Sequence, residues 1–251
     1  KEYSIKDVTN KIYKRNPLAP FTTSTLQQTA SGKYGFGASR TMQIAQRLYQ
    51  GIDIDGDTVG LITYMRTDST RLSSQAIEAA REGIFDQYGK EYLFEQVRNY
   101  TSKGKSAQEA HEAIRPSGSR FVMPEQSGLH DRELKLYDLI WKRTIATQMA
   151  EAKLEFTNVS IEAVSSDATA SFRSTGKKIL FPGFFRAYVE GSDDPDAALE
   201  NQEQFLPTLA EGDRTELQDL AFSEHETKPP ARYTEATLVK ELEKSGVGRP
   251  S

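Results

Sequence analysis

The chain has 251 residues, room for one large domain or two, with 37% hydrophobic and 27% charged residues. No apolar run approaches the roughly 20 residues a bilayer span needs, the opening KEYSIKDVTNKIYKRNP lacks the marks of a signal peptide, and the absence of cysteine rules out disulfides and thiolate zinc sites in this stretch. The net charge of −4 conceals an asymmetry: residues 190–226 hold twelve acids and one base, Arg214, whereas residues 1–50 hold eight Lys or Arg against Glu2 and Asp7, a distribution suited to a polyanion on the basic part.

In chain order, a short amino-terminal strand region precedes a helical stretch over residues 22–150. Thr22, Thr23 or Ser24 can cap a first helix that Gly32 is expected to end. A second helix starts at Ser39, with Met42, Ala45, Leu48 and Tyr49 inward and Arg40, Gln43, Arg47 and Gln50 forming a polar stripe. That stripe is either solvated surface or a face for a phosphate backbone. Residues 53–57 carry three aspartates whose spacing imitates an EF-hand start, but its twelfth position is Tyr64, so GIDIDGDTVG reads as a hairpin turn.

Helix 74–88 aligns Ile77, Ala80, Ile84 and Tyr88, and a longer helix over about 131–149 aligns Leu134, Tyr137, Trp141 and Ile145, with Trp141 a core residue. From residue 153 the period changes to two. Val159, Ile161 and Ala163 alternate with polar residues, as do Ala168, Ala170 and Phe172, which predicts an antiparallel pair. Further strands are expected near 178–181, 184–190, 202–206 and 214–222. Pro229 and Pro230 mark a boundary before a helix over 234–244 that Gly246 terminates.

The densest chemistry lies in GLITYMRTDST, residues 60–70, where Arg66 and then Asp68 follow Tyr64 at intervals of two. A phenol with a pKa of about 10 is a poor nucleophile at neutral pH. A nearby guanidinium favours the phenolate and can neutralise a phosphodiester oxygen during attack, and a carboxylate can orient that arginine. Thr67, Ser69 and Thr70 add hydroxyls, and Ser73 is placed to cap the next helix. By itself, Y-x-R-x-D also fits a strand–turn–helix with a core tyrosine, since short patterns recur by accident. His111, in AHEAIRPS, can hold a hydrogen bond or shuttle a proton, or cap a turn before Pro116. A zinc-protease motif fails there because position 115 is arginine.

FTTSTLQQTAS (21–31), GLITYMRTDST (60–70), AHEAIRPS (110–117) and PPARYTEATLVKELEKSGVGRPS (229–251) together resemble, in the same order, the type IA DNA topoisomerases in their bacterial form. The resemblance implies an α+β multidomain fold: a β-rich arch at 1–21 and 151–226, a helical domain at 22–150 inserted into it and carrying the tyrosine, and the start of a further helical domain at 227–251. It makes Tyr64 the nucleophile, with Arg66 on the scissile phosphate and His111 beside it. Arg232 matches a DNA-contacting position, and Arg66, Asp68, Arg40, Arg47 and Arg115 are further candidates for DNA binding.

The implied reaction cuts one strand of negatively supercoiled DNA through a 5′-phosphotyrosyl link, passes another strand and reseals without ATP. The resemblance assigns Mg2+ to an acidic cluster in a TOPRIM domain with no counterpart here, so the chain reads as an internal piece, inactive alone, of a longer bacterial cytoplasmic, nucleoid-associated enzyme. Its expected partner is a single-stranded region of DNA, and its expected state a monomer. A topoisomerase III-like decatenase and a non-catalytic single-stranded nucleic-acid binding module remain as alternatives.

Overall fold

The computed structural model describes residues 2–54, 57–101, 111–189 and 203–247. In chain order the elements are β1 (Glu2–Arg15), α1 (Thr23–Tyr34), α2 (Ala38–Gln50), β2 (Ile52–Ile54), β3 (Asp57–Val59), α3 (Ser74–Tyr88), α4 (Asp131–Ala146), β4 (Ala152–Val164), β5 (Thr169–Phe181), β6 (Arg214–Thr215) and α5 (Glu235–Lys244). Helix accounts for 35% and strand for 23%, so the fold is mixed rather than dominated by either. None of the described helices is long and apolar enough to cross a membrane.

The chain separates into two compact units. One, β-rich, comprises Lys1–Arg15, Ala152–Pro182 and Asp196–Ala231. It is an antiparallel sheet in the order β5-β4-β1-β6. β1 is longer than the short strand region expected from the sequence: it pairs with β4 from Glu2↔Val164 to Arg15↔Ala152, with one irregularity between Ile5 and Asp7. The β4–β5 register sets Ile161 opposite Phe172 and Ala163 opposite Ala170. Tyr13 and Phe156 meet edge-on, centroids 5.3 Å apart. The strands expected at 202–206 and 214–222 shrink to a bridge between Lys177 and Gln204 and to the two residues of β6. Pro207 follows the first, Asp213 and Glu216 flank the second, and the apolar Leu217, Leu220 and Phe222 beyond it stay exposed instead of packing on the sheet.

The other unit, Asn16–Glu151, Gly183–Pro195 and Arg232–Ser251, carries the helices. Its core includes Leu26, Ile44, Leu48, Ile84, Ile114, Leu136 and Ile140, all buried, with Trp141 among them. Burying one such aliphatic side chain contributes roughly 1.5–3 kcal/mol. Thr22 caps α1 in a reciprocal capping box with Thr25. Gly32 does not end this helix. It runs to Tyr34 and stops at Gly35, whose φ of 66° supplies the left-handed residue that ends a helix cheaply. Ser73 caps α3 by accepting from the Ala76 N–H at 3.3 Å.

Of the run expected as a strand at 184–190, the described part, 184–189, is not a strand: a 3-10 turn covers Gly183–Arg186, and Phe184, Phe185, Ala187, Tyr188 and Val189 are buried. Two features bend it. Gly183 adopts φ +52°, and a side-chain carbon there would collide with the Glu151 carbonyl. The buried Arg143 of α4 then donates from Nε to the Ala19 carbonyl at 2.7 Å and from Nη1 to the Tyr188 hydroxyl at 3.0 Å. α5 lies against α1: Ser24 Oγ donates to Glu243 at 2.8 Å. Glu235 accepts from the Ala38 N–H at 3.1 Å, supplying an acceptor at the start of α2, which has no side-chain cap of its own.

Candidate active site

Three stretches separated in sequence build the site, all within the helical unit. From Tyr64 to Ser69 exposure alternates: Tyr64, Arg66 and Asp68 face solvent, while Met65, Thr67 and Ser69 are buried. A backbone of period two thus sorts the phenol, guanidinium and carboxylate onto one side. Hydrogen bonds clamp both edges of this segment. On one side the Thr63 N–H donates to the Arg115 carbonyl at 2.9 Å and the Ser117 N–H to the Leu61 carbonyl at 2.9 Å. The Thr63 hydroxyl donates to the Ala113 carbonyl at 2.7 Å and accepts from the Arg115 N–H at 3.0 Å.

On the other side stands Thr23. Its N–H donates to the Thr67 carbonyl at 2.9 Å, its hydroxyl donates to the Met65 carbonyl at 2.8 Å, and that hydroxyl accepts from the Thr67 N–H at 2.8 Å. The Ile114 N–H, donating to the Phe21 carbonyl at 2.8 Å, closes the frame. FTTST, GLITYMRTDST and the run from His111 to Ser117 are therefore one hydrogen-bonded body. Thr67 and Ser69 serve the backbone: Thr67 Oγ accepts from the Ser69 N–H at 3.0 Å and Ser69 Oγ from the Arg71 N–H at 3.2 Å.

Tyr64 is 37% exposed. Its ring contacts two others, the His111 imidazole 5.5 Å away centroid to centroid at 38° and the Tyr49 ring 5.4 Å away at 69°. Tyr49, read from the sequence as inward, is 43% exposed, because the buried stripe of α2 is Thr41, Ile44, Ala45 and Leu48. Arg40 is exposed; Arg47 is exposed too but ion-paired to Glu133 at 3.0 Å. Arg232 is exposed just before Thr234, the residue that caps α5.

Arg115 differs from the other candidate arginines. It is only 7% exposed, and its guanidinium donates to Glu112 at 2.5 Å, the Pro116 carbonyl at 2.8 Å and Ser73 Oγ at 3.4 Å. A side chain so engaged braces the turn after His111 instead of meeting solvent. Burial pushes the Glu112 carboxyl up, but the hydrogen bond and charge of Arg115, with help from Ser73, outweigh it and hold Glu112 below the ordinary carboxylate range.

Of the three aspartates of 53–57, Asp53 and Asp57 sit on the β2–β3 hairpin, with Asp53 opposite Thr58, and Asp55 lies outside the described residues. Part of the acidic stretch, 190–202, also lies outside them. Among the described residues no group of three His, Cys, Asp or Glu comes together to hold a metal ion. Sequence reasoning missed Tyr49 and the clamp formed by Thr23. The only local sign of Thr23 was a run of hydroxyls that also reads as helix capping.

A family model described as DNA topoisomerase matches residues 1–251. The chain is 57% identical over 251 residues to DNA topoisomerase 1 of Synechocystis sp., covering 100% of this chain and 27% of that protein. It is 52% identical over 250 residues to DNA topoisomerase 1 of Streptomyces coelicolor, covering 99% of this chain and 25% of that one. Among solved structures, full-length topoisomerase I from Thermotoga maritima matches with a TM-score of 0.76 at 36% identity, over 99% of this chain and 38% of its own. The chain thus spans about a quarter of the length of the curated relatives it matches.

Proposed function

From a chain that belongs to the DNA topoisomerase family, we propose the tyrosine-bearing part of a type IA enzyme, one that relaxes negatively supercoiled DNA by cutting and resealing a single strand. The observation that carries this reading is the solvent-facing set of Tyr64, Arg66 and Asp68 with His111 packed beside the phenol. In the proposed step the Tyr64 oxygen attacks a backbone phosphorus. Tyr64 gives up its phenolic proton as a bond forms from its oxygen to the 5′ phosphate, the bond to the 3′ oxygen breaks, and that oxygen takes up a proton and leaves as a hydroxyl. One phosphoester replaces another, so the reverse attack reseals the strand without ATP. Arg66 neutralises charge on the non-bridging oxygens, Asp68 orients Arg66, and His111 holds or delivers a proton at the reacting oxygens. Arg115 acts from behind as a brace.

Arg232, Arg40 and Arg47 supply the remaining contacts to a single-stranded region of DNA, Arg47 less than the others because Glu133 already engages it. The two compact units suit an inserted helical domain and a β-rich arch; α5, which packs on α1 within the helical unit, is read as the opening of a further helical domain of the longer enzyme. Magnesium is assigned to the parent enzyme, in the bacterial cytoplasm at the nucleoid; the described residues present no donor set for it, and no step above runs through it. The topoisomerase 1 names of the relatives favour relaxation over decatenation. In the complete polypeptide, Tyr64→Phe should abolish cleavage and the covalent complex on single-stranded DNA while leaving binding intact. A cleaving Tyr64→Phe enzyme overturns the assignment, and a parent that binds but never forms a covalent complex would be a binding module only.

A further inference from the structure

Tyr49 is placed with more care than an exposed residue needs. The Leu48 carbonyl before it accepts from the Leu61 N–H at 2.7 Å, at the entry to the tyrosine segment. Gly60 passes so close to the Tyr49 carbonyl that a side-chain carbon at 60 would stand only 2.7 Å from it. Arg47, two residues earlier, is tied to α4 through Glu133 at 3.0 Å. The end of α2 and the start of the tyrosine segment are therefore joined through the main chain. The ring presented at this junction is not in the core, being 43% exposed, and it rests nearly perpendicular on Tyr64.

An exposed tyrosine on an extended backbone has several staggered rotamers open to it, and only one of them can aim its oxygen at a given phosphorus. His111 packs against the Tyr64 ring as well. We propose that Tyr49 is a positioning residue for Tyr64: its ring packs against the phenol and holds it in the attacking rotamer without touching the phosphodiester. The inference rests on the reading of Tyr64 as nucleophile. A perpendicular aromatic pair is the favoured geometry for two rings, and its loss corresponds to roughly a 2- to 10-fold change in the population of the held rotamer.

The test compares Tyr49→Phe, Tyr49→Ala and Tyr64→Phe in the complete polypeptide, measuring the single-turnover cleavage rate and the Kd for a single-stranded oligonucleotide. Tyr49→Phe keeps the ring and should cleave at the parent rate. Tyr49→Ala should cleave roughly 2- to 10-fold more slowly at saturating oligonucleotide, with Kd unchanged. If the alanine variant fails to fold, Tyr49→Leu, bulky but not a flat ring, carries the same expectation. Parent-rate cleavage by the ringless variant overturns the proposal, as does equal loss in Tyr49→Phe. A defect that lies in Kd and disappears at saturation overturns it too, making Tyr49 a platform for stacking a base. Continued cleavage by Tyr64→Phe sinks the nucleophile reading itself, whereas a dead Tyr64→Phe beside a fully active Tyr49→Ala sinks only the positioning role.

Discussion

The helical unit and the β-rich unit spend their apolar residues differently. The helical unit buries whole side chains around Leu136, Tyr137 and Ile140, and even its arginine at 143 is internal. In the sheet, Ile5, Leu154 and Val159 are buried, but Ile12, Val164, Phe172 and Leu180 face solvent on strands whose alternation is polar on much of both faces. The lesson is that long strand pairing and a dense core are separate resources. β1 and β4 hold each other mainly through main-chain hydrogen bonds over a long register, while the body that carries the tyrosine joins its hydrogen-bonded frame to a densely packed core. Precise placement of a reacting group asks for the second kind of support.

That contrast is open to direct attack. Leu136→Ala should cost about 2–5 kcal/mol in urea denaturation, the range for a leucine truncated in a close-packed core. Val164→Ala in the sheet should stay within about 0.5 kcal/mol. Equal costs would erase the distinction between the units. A smaller effect sharpens it within the helical unit: Thr23→Val keeps the shape but removes the hydroxyl that donates to Met65 and accepts from Thr67. Leaving those groups unpaired should cost about 1–3 kcal/mol. Hydrogen exchange at the Thr67 amide reads the change locally, and unchanged protection there would mean that the clamp is held by its other strand alone.

The smallest effect is a pH dependence. Because the Glu112 carboxyl is held below its ordinary value of 4.5 in the fold, its pair with Arg115 stabilises fully above that value. The contribution is lost as pH falls through the lower, folded-state value. Asp138 has the opposite sign, since burial raises its carboxyl despite hydrogen bonding to Lys142. Melting curves of the parent and Glu112→Gln from pH 7 to pH 3 isolate the Glu112 part. The gap between the two should narrow toward acid, and a constant gap would show that the Arg115 pair carries no proton linkage.

What was legible in the sequence follows a physical line. α3 was readable to the residue because its apolar period, Ser73 cap and following glycine all lie within seventeen neighbouring positions. Residues 159–163 and 168–172 were readable because a short turn joins them. The extent of β1 was not, since its partner lies some 150 residues downstream and its sequence EYSIKDVTNKIYKR shows no clean alternation. The run FFRAYV was ambiguous, because a short apolar stretch suits a strand or a buried turn equally well. The positive φ and close approach at Gly183, with the hydrogen bonds of the distant Arg143, decide for the turn. At the site, the spacing of Tyr64, Arg66 and Asp68 was plain, but the inward turn of Arg115 depends on Glu112 and Ser73 closing around it. Tyr49 escaped because it adjoins Leu48, a genuine core position, and its partner belongs to another segment.

The alternation along residues 64–69 has a consequence for changes of length. With a period of two, adding or deleting one residue between Leu61, whose amide is tied to Leu48, and Tyr64 shifts the frame of everything beyond it. Tyr64, Arg66 and Asp68 would turn into the core together, and Met65, Thr67 and Ser69 would turn out. No single side-chain repair restores the site, because all three reactive groups change phase at once. Upstream, the 52–59 hairpin faces no such constraint, and the entropy of closing a loop grows only slowly with its length. Insertions and deletions should therefore accumulate in that hairpin and be absent from the three residues before the tyrosine, so that the distance in sequence from α2 to Tyr64 varies while the distance from Leu61 to Asp68 does not.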